Sequence, residues 1–306
     1  MAPSRPETRL PAAVPEARSG RLLAAVLITL VAWASAFIVI RGAGAEFTPG
    51  AMALGRLLVG AACLTPLVLR KPLTRLTGRE WLLTAAYGVA WFAAYNVALN
   101  TAERTLDAGT TAMIVNIGPI LIAVGAGLVL GEGIPRWLAI GAGVAFCGVL
   151  LIGVSAGARG FHDVTGIAWC LVAALTYAIG VLCQKPVVRR VPATQLTWIG
   201  CIIGAIGCSP FAGDLVRDAA TASTAATVGV VYLGAVPTAL AFTTWGYALM
   251  RMPAGRLGIS TYVVPPLAIV LGLLVLRETP GPLAIVGGVV CLAGVALSRR
   301  APRPSG

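Results

Sequence analysis

Hydrophobic residues occur in this chain as long runs separated by short polar or charged connections. Nine runs contain no charged residue and a tenth contains only Arg56; they cover positions 22–40, 47–69, 81–102, 108–130, 137–158, 164–184, 191–213, 219–250, 257–276 and 279–298. A helix needs about 20 apolar residues to cross the hydrocarbon core, where the backbone must satisfy its own hydrogen bonds. The pattern therefore predicts an all-α integral membrane protein with ten transmembrane helices and no room for a soluble domain.

The chain also repeats itself at an offset of 146 residues. Proline, glutamate and glycine recur at this spacing in the pairs Pro119 and Pro265, Glu132 and Glu278, Gly141 and Gly287, and Gly148 and Gly294. A copy with five crossings ends on the side opposite to its start, so the second copy enters the membrane from the other side. The sequence predicts two inverted-topology repeats, 22–158 and 164–298, a disordered N-terminal tail over 1–21 and a C-terminal tail over 299–306.

The net charge of +12 suggests nucleic acid as a partner at first sight, but the distribution of the charges favours a membrane. With the N-terminus inside, 17 of the 23 Lys and Arg residues fall on the inner side, five on the outer side and Arg56 within a span. This is the positive-inside bias of multi-pass proteins. We therefore expect a location in the cell (inner) membrane, both termini in the cytoplasm, anionic lipids as partners and no nucleic acid.

All seven cysteines lie within predicted spans, and none has the spacing of a metal site. We interpret them as packing residues and expect neither metal nor cofactor. A Walker-type phosphate-binding loop is absent from the sequence, so ATP is not expected to be the direct energy source.

Two spans are interrupted by proline at matching places in the two copies. Gly118 and Pro119 interrupt the fourth span, and Pro265 and Pro266 interrupt the ninth. An interior proline removes a helical hydrogen bond, and breaks at corresponding positions of two repeats indicate a transporter binding site or gate. The alternative is an ordinary proline kink packed by its neighbours.

Four segments together resemble the EamA family of the drug/metabolite transporter superfamily. Residues 106–119 (LDAGTTAMIVNIGP), closing with VLGE at 129–132, are similar to the family's fourth helix, and residues 252–265 (MPAGRLGISTYVVP), closing with VLRE at 275–278, to its ninth. The segments PGAMALGR at 49–56 and VAWASAF at 31–37 resemble its second and first helices. The likeness covers nearly all of 22–298. It departs at Arg277, where the family usually has glycine, so equal roles for Glu132 and Glu278 do not follow.

The resemblance implies ten helices around a central cavity that opens to one side at a time. Members of the family move small metabolites and often export amino acids or their relatives, whereas others move sugars, nucleotide-linked sugars or drugs.

Arg56 is the only ionic side chain well inside a predicted span, about six residues or about 9 Å from its outer end. A charge in the bilayer costs roughly 2.5–3.5 kcal/mol on insertion scales, so it indicates function by default. One interpretation is that Arg56 binds a substrate carboxylate or holds a gate. The other is that it snorkels outward or satisfies backbone carbonyls.

Polar and aromatic residues near the middle of the spans are expected to line the cavity and bind substrate: Trp33, Tyr95, Asn96, Asn116, Tyr177, Trp245 and Tyr262. Amides fix a polar ligand by hydrogen bonds, and rings pack on an apolar group or hold an ammonium. Alternatively, these residues make contacts between helices, or Tyr95 and Tyr177 face lipid near an interface.

Two glutamates end the broken helices, with Glu132 expected inside and Glu278 outside. One interpretation is that these glutamates pair with Arg136 and Arg277, or with neighbouring loops, and so close gates on the two sides of the membrane. The alternative is that both are solvated helix ends. No carboxylate lies deep in a span, so the sequence does not support classical proton coupling through Asp or Glu.

The function predicted from the sequence is secondary transport by alternating access, most plainly export of amino acids or amino-acid-like compounds. The alternative is another small solute: a sugar, a nucleotide-linked compound or a drug. An integral-membrane enzyme is disfavoured because the single histidine, His162, lies in a loop and no acidic pair lies within a span. The oligomeric state is left open between a monomer and a homodimer.

Overall fold

The computed structural model describes residues 16–104, 114–155, 164–276 and 281–300, which form helices and contain no β strand. The main helices are α1 (Glu16–Ala43), α2 (Pro49–Leu69), α3 (Gly78–Ala102), α4 (Gly118–Val129), α5 (Arg136–Ser155), α6 (Val164–Val188), α7 (Ala193–Gly207), α8 (Thr224–Arg251), α9 (Ala254–Val275) and α10 (Pro282–Ser298). Seven of them are long and apolar enough to cross a membrane. The chain is a multi-pass membrane protein.

The other three helices depart from this simple form. After α7 the chain bends by 61° into Ser209–Thr221, whose α-helical part, Ala212–Thr221, we call the side helix. With this continuation α7 is an eighth candidate span, and α4 and α10 are shorter apolar helices.

Helices of one copy pack mainly on helices of the other. The contacts join α2 to α7, α4 to α9 and α5 to α10, which are pairs of equivalent helices. They also join α1 to α8 and α3 to α6. Each of these two contacts joins the first helix of one copy to the third helix of the other copy. Such reciprocal contacts are typical of a two-fold axis, here relating two halves of one chain.

The closest of these contacts lies between α5 and α10. A Cβ added to Gly148 would lie 2.6 Å from the Gly287 carbonyl oxygen, and one added to Gly141 would lie 2.6 Å from that of Gly294. The contacting residue in α10 moves from Gly294 back to Gly287 as the residue in α5 moves from Gly141 forward to Gly148, so the two helices run antiparallel. Small residues allow this approach, because in lipid helix association depends on close van der Waals packing.

The proline interruptions lie where the sequence predicts them and contact each other. A turn precedes α4, which begins at Gly118, and a 3₁₀ turn, Thr261–Val263, interrupts α9. The Tyr262 hydroxyl donates to the Asn116 carbonyl oxygen at 2.9 Å. These two residues are 146 positions apart, so the two breaks meet at the axis.

A second irregularity is repeated, and sequence analysis did not predict it. Residues Gly88–Ala94 of α3 and Gly234–Leu240 of α8 are π-helical, and the two segments correspond at the offset of 146. π-Helical turns are rare, and many occur at functional sites.

The seven cysteines are free. Cys63 and Cys147 are exposed on the outside of the bundle, so the interpretation of all cysteines as packing residues is wrong for these two.

We predict that Gly148→Ala destabilises the protein by roughly 1–3 kcal/mol, the usual cost of overpacking, because its Cβ meets the backbone of α10. Gly143 is the matched control, since nothing lies within 4 Å of a Cβ at this exposed position of the same helix. The apparent melting temperature of detergent-purified protein should fall for Gly148→Ala and not for Gly143→Ala. Equal melting of the two variants would contradict the close contact.

Candidate functional site

Arg56 lies in the interior of the bundle and does not snorkel outward. Its side chain leaves the second turn of α2, and only 7% of the residue is exposed. The Nε group donates to Thr238 Oγ1 at 3.0 Å, and Nη1 donates to Asn96 Oδ1 at 2.9 Å. Within the described part of the chain, neutral side chains and not backbone carbonyls therefore hold the guanidinium, and one of them comes from each copy.

Aromatic rings fill the centre of the bundle beside this arginine. The Trp33 ring centroid lies 5.0 Å from that of Trp245, 5.6 Å from that of Phe242 and 6.0 Å from that of Trp91. Trp33 Nε1 donates to the carbonyl oxygen of Pro237, the neighbour of Thr238. We call Trp33, Trp91, Phe242 and Trp245 the aromatic cluster.

Trp245 leaves an indole donor unused in this cluster. The residue is completely buried, and its Nε1 has no hydrogen-bond partner among the described residues. A buried N–H without a partner costs stability, so an acceptor from a bound molecule would be favourable there.

Tyr95 and Tyr177 continue the cluster and do not face lipid. Their ring centroids are 5.9 Å apart, and that of Tyr177 is 5.0 Å from that of Trp91. Tyr177 is buried and Tyr95 is partly buried. Gly118 allows Tyr177 to pack on the start of α4, because a Cβ there would lie 2.7 Å from the ring.

Asn116 and Tyr262 occupy a different place from the Arg56 site. Tyr262 belongs to the apolar cluster between α5 and α10, and its hydroxyl bonds the backbone of Asn116. Of the polar residues predicted to bind substrate, the structure thus brings Asn96 to Arg56, whereas Asn116 and Tyr262 join the two helix breaks.

Glu132 has a partner different from the predicted Arg136. Its carboxylate lies 3.7 Å from Lys185 Nζ and accepts from the Gly255 backbone N–H at 3.3 Å. Gly131 and Gly133 have φ of 67° and 70°, a region that glycine enters without strain, and they turn the chain so that Glu132 points inward. Arg136 instead lies over the Trp137 ring. Glu278 and Arg277 lie outside the described residues.

Lys185, which directly follows the predicted span 164–184, is buried and joins several helix ends. Its ammonium donates to the carbonyl oxygens of Leu249 and Met252 at the end of α8, besides facing Glu132. Its position one residue after an apolar run of α6 concealed this role. Trp91, Phe242 and Thr238 were missed because apolar residues and threonine occur throughout the spans.

Polar contacts close one end of the bundle between the two copies. Asp218 of the side helix accepts from the Thr48 backbone N–H at 2.8 Å, and Glu46 accepts from the backbone N–H and the hydroxyl of Ser223. These hydrogen bonds hold the pKa of the Glu46 carboxyl below its ordinary value. We call this set of contacts the first clasp.

A related second clasp closes the opposite end, beyond the last turn of α2. Gln195 exchanges two hydrogen bonds with the Thr74 backbone, at 2.9 and 2.8 Å, and Arg190 binds Glu80. The Glu80 carboxylate raises the pKa of the Arg190 guanidinium. Thr77 and Ser223, the N-caps of α3 and α8, are 146 positions apart, so the two clasps are built at corresponding places.

Comparison with known proteins gives a consistent result over nearly the whole chain. The model of the EamA-like transporter family matches residues 20–154 and 164–300. The chain is 34% identical to a Streptantibioticus cattleyicolor protein named "Probable terminal-alkyne amino-acid exporter", over 90% of this chain and 92% of that protein. It is 32% identical to the "Uncharacterized transporter YdfC" of Bacillus subtilis, over 86% of each.

A more distant relative and a solved structure agree with this. The chain is 25% identical to a Salmonella typhimurium protein named "Probable amino-acid metabolite efflux pump", over 92% of this chain and 97% of that protein. A crystal structure with 18% sequence identity superposes with a TM-score of 0.73, over 92% of this chain and 96% of that one. At this identity the likeness concerns the fold alone.

We predict that Lys185→Met lowers stability by roughly 1–3 kcal/mol, because Glu132 and the carbonyl oxygens of Leu249 and Met252 lose their cation. Arg189→Met is the control, since Arg189 is an exposed neighbour on the connection after α6. The apparent melting temperature in detergent should fall only for Lys185→Met. A fall of the same size in the control would contradict a specific role for the buried ammonium.

Proposed function

The chain belongs to the EamA-like transporter family, and from this premise we propose that it exports amino acids or amino-acid-like compounds across the cytoplasmic membrane by alternating access. Members of the family and the named relatives are transporters of small metabolites and not enzymes. The proposal adds the solute, the direction and the mechanism.

The observation that carries the proposal is the uncompensated charge of Arg56. Among the described residues no carboxylate lies within ion-pair distance of its guanidinium, which neutral oxygens hold. A buried cation without a counter-ion is costly, and arginine binds carboxylates with paired, charge-assisted hydrogen bonds. A solute with a carboxylate would thus lower the cost of the buried charge while it is bound.

The aromatic cluster supports a solute that also carries an apolar or cationic part. The cluster adjoins the arginine site through Trp33, whose indole donates to the carbonyl oxygen of Pro237, the neighbour of Thr238. Aromatic faces pack on apolar groups and attract ammonium ions. A carboxylate, an ammonium and an apolar side chain together describe an amino acid, the solute class in the names of two relatives.

The reciprocal packing of the two copies supports inverted topology and alternating access. The antiparallel crossing of α5 and α10 requires the two-fold axis to lie across these helices, which is the membrane plane if both span the bilayer. We therefore retain ten spans with both termini in the cytoplasm, the first clasp outside and the second inside. In the proposed cycle the first clasp opens while the second stays closed, and then the second opens while the first stays closed.

We expect purified protein in liposomes to take up radiolabelled leucine, phenylalanine, threonine or serine above protein-free liposomes, and glucose or uridine monophosphate not at all. Arg56→Gln should raise the apparent KM for the transported amino acid about tenfold or more, because a hydrogen-bonded charge is lost. Arg104→Gln, at the exposed end of α3, is the control. Uptake of the sugar or the nucleotide alone would contradict the proposed solute, and an unchanged KM in Arg56→Gln would remove the role of the arginine.

Locking either clasp should stop transport. Cysteine pairs at positions 48 and 218, and at 74 and 195, join residues whose side chain and backbone are hydrogen-bonded. After oxidation each double variant should lose most of its uptake and regain it with reductant, while the single variants keep theirs. In intact cells a membrane-impermeant reductant should restore only the 48/218 pair. Full uptake in an oxidised, cross-linked variant would contradict the opening of that clasp, and rescue of only the 74/195 pair would contradict the assigned topology.

A further inference from the structure

At the two corresponding π-helical segments, carbonyl oxygens within the first segment and directly before the second bond the polar side chains that hold Arg56. In a π-turn a carbonyl is offset from the residue that normally pairs with it, so side chains or water replace lost α-helical bonds. Asn96 follows the first segment, Gly88–Ala94, and Thr238 lies within the second, Gly234–Leu240. Asn96 and Thr238 do not correspond at the offset of 146. The π-helical segment therefore occurs in both copies, whereas the arginine that its neighbouring side chains hold occurs in only one.

The hydrogen bonds of Asn96 determine which of its atoms faces the arginine. Its Nδ2 donates to the carbonyl oxygens of Phe92 at 2.8 Å and Trp91 at 3.2 Å, residues four and five positions earlier. Both amide protons are then used, since the group has two. Only Oδ1 is left, and it accepts from Arg56 Nη1.

Thr238 reaches the same result by a different route. Its hydroxyl donates its single proton to the Leu233 carbonyl oxygen, five residues earlier, at 2.8 Å. Oγ1 is therefore available to Arg56 Nε as an acceptor and not as a donor. At each segment, the local carbonyl oxygens use up the protons of a neutral side chain, so its oxygen can only accept a hydrogen bond from Arg56.

We propose that Asn96 and Thr238 are positioning residues that orient the Arg56 guanidinium for a solute carboxylate. Two neutral acceptors fix the plane of the group without cancelling its charge, as a carboxylate would. They use two of its five N–H donors, and both Nη2 donors have no partner among the described residues. Those donors are free to form charge-assisted bonds with the solute. The inference rests on the proposed function, in which Arg56 binds the carboxylate.

The test compares an acid with its amide in the variant Thr238→Val, which has the shape of threonine without the hydroxyl. With leucine and leucinamide, or the amino acid of highest wild-type uptake and its amide, we expect the apparent KM for the acid to rise about tenfold, as for a lost hydrogen bond to a charged group. The KM for the amide should change much less. Thr238→Ser should restore the acid KM, because it keeps the hydroxyl.

Thr243→Val is the matched control on the same helix. The Thr243 hydroxyl donates to the Ala239 carbonyl oxygen and makes no bond to Arg56, so both KM values should stay unchanged. If Thr238→Val does not fold, Asn96→Asp gives a second measurement. It places a carboxylate against Arg56 and should suppress uptake of the acid more than that of the amide.

The outcomes separate this inference from the proposed function. Equal effects of Thr238→Val on acid and amide, while Arg56→Gln impairs the acid selectively, would overturn the positioning role and leave the role of Arg56 intact. Equal effects of Arg56→Gln on both solutes would remove the carboxylate site and this inference together. Selective loss of the acid in both variants, with rescue by Thr238→Ser, would support both.

Discussion

The need to satisfy every backbone hydrogen bond within the protein governs this molecule, because hydrocarbon offers no partner for a free N–H or C=O. It explains why the spans are helical and why polar side chains lie beside the π-helical segments of α3 and α8. The carbonyls of Trp91, Phe92 and Leu233 bond Asn96 and Thr238, which in turn hold Arg56. The buried charge of Arg56 is thus placed by side chains that also satisfy backbone carbonyls.

The two copies share their framework and differ at their centre. Both have a broken fourth helix, a π-helical segment in the third and a close glycine contact in the fifth. Arg56 has no counterpart, because the equivalent helix α7, Ala193–Gly207, contains no charged residue. In the proposed transport cycle the symmetric framework would move equally toward both sides of the membrane, and the asymmetric centre would bind the solute.

The ends of the bundle combine strong and weak attachments. The buried Lys185 joins Glu132 and the end of α8 with little access to water, so breaking these bonds leaves a buried charge without partners, which is costly. The clasps instead include the exposed bonds of Glu46 to Ser223 and of Arg190 to Glu80, which solvent replaces at small cost, beside the buried side chains of Asp218 and Gln195. The proposed cycle therefore moves contacts at the clasps and keeps Lys185 in the stable framework.

The sequence alone determined the helical membrane class, the duplication, the positions of the proline breaks and the prominence of Arg56, because hydropathy and repeat spacing are local properties that can be counted. It also identified Trp33, Tyr95, Asn96, Tyr177 and Trp245, which do lie at or beside the arginine or the aromatic cluster. Only the tertiary structure decided the partners: Lys185 and not Arg136 for Glu132, and Thr238 for Arg56. Those partners depend on contacts between helices that are distant in the sequence, and on π-helical turns. A π-helical turn contains about one more residue than an α-helical turn, so the side chains that follow it point in a different direction around the helix axis. The hydrophobic pattern of the sequence does not reveal this change of direction.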